Sequence, residues 1–241
     1  MSISDERREI LEEFQKKYDL KFSNLELLNQ AFCHTSYTNE NNLDILESYE
    51  RLEFLGDAVL KLSISEFLYK NYSNYQEGSL TKYRAQIVSD KSIFEFSKKM
   101  NFEELIVLGK NEKKHGGAKK ESILACAFEA LLGVIFLEYK EEGYKKAYDF
   151  LINNFKDEIL SMNEKINFYN PKAVLQEYTQ GINHQLPKYN LVDEQGAQHD
   201  KTFFIEVEFN NEVIGKGSAK SIKEAQQEAA MNAIKNIGIE L

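Results

Sequence analysis

The stretch "ERLEFLGDAVL", residues 50–60, decides the fold of this chain. Its apolar residues have the spacing of a helix, yet it also carries three carboxylates, Glu50, Glu53 and Asp57. Residues at i, i+3 and i+7 share one face of a helix, so these three charges repel one another. Burying one without a partner would cost on the order of several kcal/mol. The stretch therefore requires compensating positive charge, from basic side chains or from a metal ion.

The composition indicates a soluble protein with substantial cores. The chain has 241 residues, 42% hydrophobic content and two prolines, which suits one large or two ordinary domains rich in long helices. The charged N-terminus is unlike a signal peptide, and the most apolar stretch, 122–137, is too short to span a bilayer. We expect a cytoplasmic protein without a membrane segment. Cys33 and Cys126 have no metal-binding spacing and are expected to be reduced thiols.

The net charge of −9 argues weakly against a nucleic-acid partner, for which a basic patch is the usual sign. The region from residue 161 onward is also acidic by count, with 8 Lys and 11 Asp or Glu. Any binding of nucleic acid must therefore depend on the local placement of lysines.

The apolar pattern divides the chain into two domains. Residues 1–160 show a 3.6-residue period throughout and predict an all-α domain. Its last helix is expected to run from Gly143 to about Leu160. Residues 161–169 are polar and precede a proline, so they are predicted to be a linker.

Residues 170–241 predict an α+β domain in the order α-β-β-β-α. "PKAVLQEYTQG" (171–181) reads as a helix, and three alternating stretches that follow read as strands. The "NN" at 210–211 is a good two-residue hairpin turn between two of these strands. Ser221 and Glu224 form a capping-box pattern for the last helix, and Gly238 ends it.

A further carboxylate, Glu129, lies inside the most apolar helix. There it requires a charged partner, a shifted pKa or a metal ion. Together with Glu53 and Asp57 it could supply hard oxygen ligands for Mg²⁺ or Mn²⁺. The alternative is an ordinary salt bridge to one of three basic residues: Arg51, Lys61 or Lys82.

The motif "ERLEFLGDA" (50–58) resembles the nine-residue signature of the ribonuclease III family at every position. Three further blocks, at 31–40, 77–89 and 116–138, resemble the family in order and spacing. The C-terminal region is similar to a double-stranded-RNA-binding domain in "LQEYTQG", "GAQHDKTF" and "GSAKSIKEAQQEAA". The resemblance covers nearly the whole chain.

This resemblance implies a dimerising α-helical endonuclease domain followed by a domain that binds RNA duplexes. It implies cleavage of double-stranded RNA by a water that Mg²⁺ activates, with Mn²⁺ as a possible substitute and no small-molecule cofactor. The expected products carry 5′-phosphate and 3′-hydroxyl ends, and the expected substrates are ribosomal and other structured precursor RNAs.

The resemblance also implies roles for individual residues. Glu53, Asp57 and Glu129 match metal ligands, and Asp57 and Glu129 are the expected catalytic residues. Glu50 and Glu77 match acidic positions at the dimer edge and catalytic valley. The positions that match RNA contacts are Gln176, Glu177, His199, Lys220 and Lys223.

Position 126 departs from the family, because Cys126 stands where a metal-binding Asp is usual. A thiol is a poor ligand for Mg²⁺, so Cys126 is a doubtful ligand. In one interpretation a water completes the metal shell and the enzyme remains active. In another, the chain is a weakened nuclease that acts mainly as a dimeric RNA-binding protein. An engineered or a catalytic-null change is a third.

Overall fold

The computed structural model describes residues 3–73, 75–169, 171–197 and 200–239. Contacts between Cα atoms divide the chain into two compact units. One unit contains Met1–Ser73 and Leu80–Ile159, and the other contains Asn74–Ser79 and Leu160–Leu241.

Helices make up the regular structure of residues 3–169, apart from one isolated β-bridge between Cys33 and Val107. In chain order these helices are α1 (Asp5–Lys17), α2 (Leu25–Gln30), α3 (Thr35–Glu40), α4 (Glu50–Asn71), α5 (Glu77–Ile87), α6 (Asp90–Lys99), α7 (Phe102–Leu105), α8 (Lys110–Lys114), α9 (Glu121–Glu138) and α10 (Gly143–Tyr169). Short 3₁₀ turns occupy Ile45–Glu47, Gly117–Lys119 and Lys140–Glu142.

The centre of the first unit is the antiparallel pair α4 and α9. A Cβ atom added to Gly56 would lie 1.6 Å from the Glu129 carbonyl oxygen, and one added to Gly133 would lie 2.4 Å from the Leu52 carbonyl oxygen. Only glycine permits backbones to approach this closely. Helix α6 also packs on α9, where the Ser97 hydroxyl donates to the Leu124 carbonyl over 2.9 Å.

One helix end predicted from the sequence is wrong. Ser4 caps the start of α1, and Ser89 caps the start of α6. Helix α10, expected to end near Leu160, continues to Tyr169 through the segment predicted as a linker. This segment contains neither glycine nor proline before Pro171, so nothing in it breaks a helix. The domain bounds themselves remain a prediction.

The second unit contains the predicted α-β-β-β-α pattern. This pattern is α11 (Pro171–Asn183), an antiparallel sheet of β1 (Lys188–Gln195), β2 (Thr202–Phe209) and β3 (Glu212–Ala219), and α12 (Ile222–Ile237). Asn210 and Asn211 both have positive φ, 55° and 65°, as a tight hairpin turn requires.

Helix α12 lies directly on β3 because of two glycines in "GKG" (215–217). A Cβ on Gly217 would be 2.2 Å from the Ala229 nitrogen, and one on Gly215 would be 2.4 Å from the Ala229 carbonyl oxygen. Alanines on the facing side of α12 complete this close packing with Ile205 and Val207 of β2. The start of α12 is thereby fixed against the sheet.

Candidate functional site

The three carboxylates that the sequence singles out face one another across α4 and α9. Glu53 and Asp57 lie on α4, and Glu129 lies on α9, where its backbone touches Gly56. All three side chains are half-buried. The close approach of the helices at Gly56 therefore brings together residues that are more than seventy positions apart in sequence.

Glu129 lies in an environment with too little positive charge. Burial raises the pKa of its carboxyl to about 8, and the negative charges of Asp57, Glu53 and Asp90 contribute, while Lys61 opposes them. The pKa of Glu53 is also raised, first by burial and then by its acidic neighbours. Like charges held close together in a partly dry site raise one another's pKa. This pattern is typical of functional carboxylates.

The expected salt bridge is present for one carboxylate of the three. Lys61 Nζ lies 2.7 Å from Asp57 Oδ2, one helical turn away. Among the residues that the structure describes, no lysine, arginine or histidine forms an ion pair with Glu53 or Glu129. An exposed i,i+4 pair is worth only about 0.3–0.5 kcal/mol, so Lys61 is easily displaced.

Cys126 lies close to Glu53 and Glu129 at this site, and the negative charges of both carboxylates act on its thiol. Burial and the adjacent Glu53 raise the pKa of the thiol to about 12, so the sulfur carries its proton at neutral pH. A protonated thiol is an unsuitable ligand for a hard cation. The doubt that the sequence raised about Cys126 as a ligand is therefore supported by its surroundings.

The donor set suits a divalent cation, although the side chains do not form a finished coordination shell. In the described ranges, no group of three His, Cys, Asp or Glu is placed so that it could hold a metal ion. Asp57 is directed to Lys61. Nevertheless, oxygen ligands that lack positive charge are what Mg²⁺ and Mn²⁺ require.

Glu50 and Glu77 occupy different surroundings. Glu50 begins α4, is exposed, and contributes to the raised pKa of Glu53. Glu77 begins α5 and is exposed. The roles that the resemblance implies for both remain predictions.

Lys220 and Lys223 lie at the start of α12, where the sequence placed them. Lys220 precedes the capping residue Ser221, and its Nζ lies 2.6 Å from Asp200 Oδ1. Lys223 is exposed in the first helical turn. The Ser221 hydroxyl accepts a hydrogen bond from the Glu224 N–H, so one of the free helix donors is already used. A phosphate at this helix end would have to compete with Asp200 for Lys220.

The other predicted RNA contacts are partly described. Gln176 and Glu177 lie in the middle of α11 and are half-buried, and burial raises the pKa of Glu177. His199 lies outside the described residues. Gln226 on α12 accepts a 2.6 Å hydrogen bond from Lys172 Nζ, so α11 places a positive charge beside α12.

Sequence reasoning missed two residues of the carboxylate site, Tyr49 and Asp90. Tyr49 immediately precedes the acidic motif and is 4% exposed, but its apolar ring gave no signal of a polar role. Asp90 follows the capping residue Ser89 and reads as an ordinary first-turn carboxylate. The packing of α6 on α9 brings its charge to Glu129, and sequence spacing does not reveal this packing.

Comparison with known proteins agrees with both units. Residues 24–159 match the family described as ribonuclease-III-like, and residues 171–237 match the double-stranded RNA binding motif. A protein called ribonuclease 3 from Natranaerobius thermophilus is 43% identical, covering 88% of this chain and 90% of that protein. Another from Borreliella burgdorferi is 40% identical, covering 98% and 96% respectively.

A solved structure is similar to the first unit. The nuclease domain of ribonuclease III from Campylobacter jejuni is 34% identical, with a TM-score of 0.54, and covers 61% of this chain and 99% of that domain. Its description refers to a region involved in dimer formation. Within the described residues, no helix has the length and apolarity needed to cross a membrane.

Proposed function

This chain belongs to the ribonuclease III family, and we propose that it is an endoribonuclease that cleaves double-stranded RNA with the help of Mg²⁺. The observation that carries the proposal is the set of three carboxylates on α4 and α9. Glu129 has a pKa raised to about 8 and no basic partner among the described residues, so a divalent cation would stabilise the charged form that the fold alone disfavours. The family supports a divalent metal, and the hardness of the oxygen ligands favours Mg²⁺, with Mn²⁺ as a substitute.

Glu53, Asp57 and Glu129 are the residues that would hold the cation. When bound, it would lower the pKa of a water and offset negative charge on the scissile phosphate. Glu129 must lose its proton to bind, so a cation would stabilise its charged form. Asp57 would hold the cation in place of Lys61, and the Lys61 ammonium would then be available to a phosphate oxygen. Attack by water on phosphorus with cleavage of the bond to the 3′-oxygen, which takes up a proton, would leave the 5′-phosphate and 3′-hydroxyl ends expected of the family.

The α-β-β-β-α unit would supply affinity for the RNA duplex. Domains of this kind read the shape and 2′-hydroxyls of A-form helices instead of base sequence. Lys220 and Lys223 at the start of α12 are the proposed phosphate contacts, because free N–H groups and the helix dipole add to their charge. Gln176, Glu177 and His199 are proposed contacts by resemblance. With a net charge of −9, binding would depend strongly on salt.

We also propose that the first unit forms a homodimer through the outer face of α4. Phe54, next to Glu53, is 82% exposed, which is costly for a large aromatic side chain unless it is covered. It borders an apolar groove whose lining includes Leu46, Leu52 and Leu137. A second copy would insert its own Phe54 into this groove, so one self-complementary face would serve both subunits. Two sites related in this way could cut both strands of a duplex.

A second candidate function is duplex binding with little cleavage, and Cys126 is the observation that favours it. Position 126 carries a thiol in place of a carboxylate. Because the pKa of this thiol is high, it cannot take over the role of a ligand as a thiolate. The three remaining carboxylates oppose this alternative, because their mutual repulsion would have no use in a protein that only binds RNA.

The test is cleavage of a long RNA duplex with Mg²⁺, with Mn²⁺ and with chelator, using wild type, Glu129→Gln and Cys126→Asp. Metal-dependent cleavage by wild type, lost in Glu129→Gln, would support the nuclease. Binding without cleavage by wild type, with cleavage gained in Cys126→Asp, would establish the second candidate. Identification of the product ends would show which of the two phosphorus–oxygen ester bonds is broken.

A further inference from the structure

Lys220 is engaged by a carboxylate of its own unit. Its Nζ lies 2.6 Å from Asp200 Oδ1 and 3.4 Å from the Asp200 carbonyl oxygen, so the ammonium donates to the same residue twice. Lys220 follows β3, and Asp200 lies in the loop between β1 and β2. Because Lys220 is also a proposed phosphate contact, this one lysine has to serve either of two anions.

The backbone of the β1–β2 loop holds Asp200 in this position. Gly196 has a positive φ of 107°, and a Cβ atom added to it would lie 2.5 Å from the Asp200 carbonyl oxygen, so this turn requires glycine. The Asp200 N–H donates to the Ala197 carbonyl over 2.8 Å. Phe203 pairs with Ala219 in the register of β2 and β3, which brings the two residues of the ion pair close to each other.

The neighbouring charges leave Asp200 to Lys220. Lys201, the residue after Asp200, is directed to Glu194 on β1, with 2.6 Å between Nζ and Oε2. Lys223, the other proposed contact at the start of α12, forms no ion pair among the residues that the structure describes. The two proposed phosphate contacts therefore differ, because Lys223 can meet a phosphate directly, whereas Lys220 must first leave Asp200.

The ion pair is weak enough for RNA to break. The side chains of Lys220 and Asp200 are 61% and 68% exposed. Water and salt screen a pair this exposed, and such pairs change an equilibrium constant by factors between about 1.4 and 5. A phosphate can therefore replace Asp200, but its binding has to offset the lost pair and leaves a carboxylate without its partner.

We infer that Asp200 competes with RNA phosphate for Lys220 and thereby lowers the affinity of this unit for duplex RNA. This inference rests on the proposed function, because it takes Lys220 to be a phosphate contact. Asp200 needs no contact with the RNA for this effect, since it acts through the lysine. Removal of the Asp200 charge should therefore tighten binding, which is the opposite of what damage to a binding surface does.

The experiment measures binding of the full-length protein to an RNA duplex of about 20 base pairs, longer than the roughly 16 that such a domain spans. Fluorescence anisotropy in chelator and about 0.15 M salt measures binding without metal-dependent cleavage. Asp200→Asn is expected to bind about two- to fivefold more tightly than wild type.

The matched control is Glu212→Gln, which removes the same charge from the exposed start of β3. Lys220 follows the opposite end of this strand of eight residues, which spans about 26 Å at about 3.3 Å per residue. This distance is several times the Debye length of about 8 Å, so the control should leave the affinity unchanged.

A double-mutant cycle tests whether Asp200 acts through Lys220. If it does, Asp200→Asn should improve affinity more in the wild-type background than in Lys220→Gln, which has no ion pair to break. Equal gains in both backgrounds would mean that Asp200 merely repels the RNA and would overturn the inference. Equal affinity of wild type and Asp200→Asn would overturn it as well. Thermal midpoints from circular dichroism control for folding.

The outcomes separate this inference from the proposed function. If wild type binds the RNA duplex, duplex binding stands, and only the cycle of Asp200→Asn and Lys220→Gln decides the role of Asp200. If wild type does not bind the RNA duplex, both duplex binding and the role of Asp200 fail.

Discussion

Replacing Glu129 by glutamine is expected to flatten the pH dependence of stability of the metal-free protein. In the folded chain Glu129 keeps its proton up to about pH 8, whereas an unperturbed carboxyl releases it near 4.5. Between these values the folded state binds more protons than the unfolded state, so the free energy of unfolding falls as pH rises. Glutamine does not titrate, so this part of the slope should disappear.

The size of the effect follows from the two pKa values. One pKa unit corresponds to about 1.4 kcal/mol. A pKa of about 8 in place of 4.5 therefore corresponds to at most about 5 kcal/mol of unfolding free energy lost over that range. The pKa of Glu53 is also raised, and its contribution to the slope is expected in wild type and in Glu129→Gln alike.

The assay is urea unfolding in chelator at several pH values between about 5 and 8, followed by far-ultraviolet circular dichroism. The matched control is Glu121→Gln, which changes an exposed glutamate on the same helix, α9. The control should follow the wild-type profile, while Glu129→Gln should gain stability relative to wild type as pH rises. If the free energies of unfolding of wild type and Glu129→Gln change equally with pH across this range, then Glu129 is not held in a site short of positive charge, and the reasoning is wrong.

Three further predictions test the packing, the interface and the helix cap. Gly56→Ala places a Cβ 1.6 Å from the Glu129 carbonyl and should cost about 3 kcal/mol or more in urea unfolding. Gly78→Ala, with nothing within 4 Å, should be neutral or slightly stabilising. Phe54→Asp should convert a dimer to monomers in sedimentation equilibrium, and an unchanged mass would exclude the α4 face. Ser221→Ala should lower the thermal stability of the second unit by about 1 kcal/mol through loss of the cap; no change would mean that the cap adds nothing.

Most of the secondary structure could be predicted from local sequence signals. Ser221 precedes α12 and accepts the backbone N–H of Glu224 at its start, as its sequence position indicates. The hairpin at Asn210 and Asn211 followed from turn chemistry alone. The wrong end of α10 shows the limit of such signals, because a polar segment without glycine or proline is compatible with either helix or linker.

The carboxylate site was only partly visible in the sequence. The acidic stripe of α4 and Glu129 were recognisable because a carboxylate among apolar residues needs an explanation. Their proximity depends on Gly56, whose contact with α9 is a tertiary feature. The same applies to Asp90 and Tyr49, which have ordinary local roles at helix starts and join the site only through packing. The sequence also allowed ordinary salt bridges in place of a metal site. Among the described residues, Asp57 forms such a salt bridge, with Lys61, and Glu53 and Glu129 form none.

The most direct test of the account is single-turnover cleavage of an RNA duplex by wild type and Glu129→Gln over a titration of Mg²⁺. The unpaired single strand and a DNA duplex of the same sequence serve as controls. We predict that wild type cuts only the RNA duplex, with a rate that rises and saturates with Mg²⁺, and that Glu129→Gln binds the duplex equally well but does not cut it at any Mg²⁺ concentration. Equal cleavage by the two proteins, or cleavage that persists in chelator, would contradict the account.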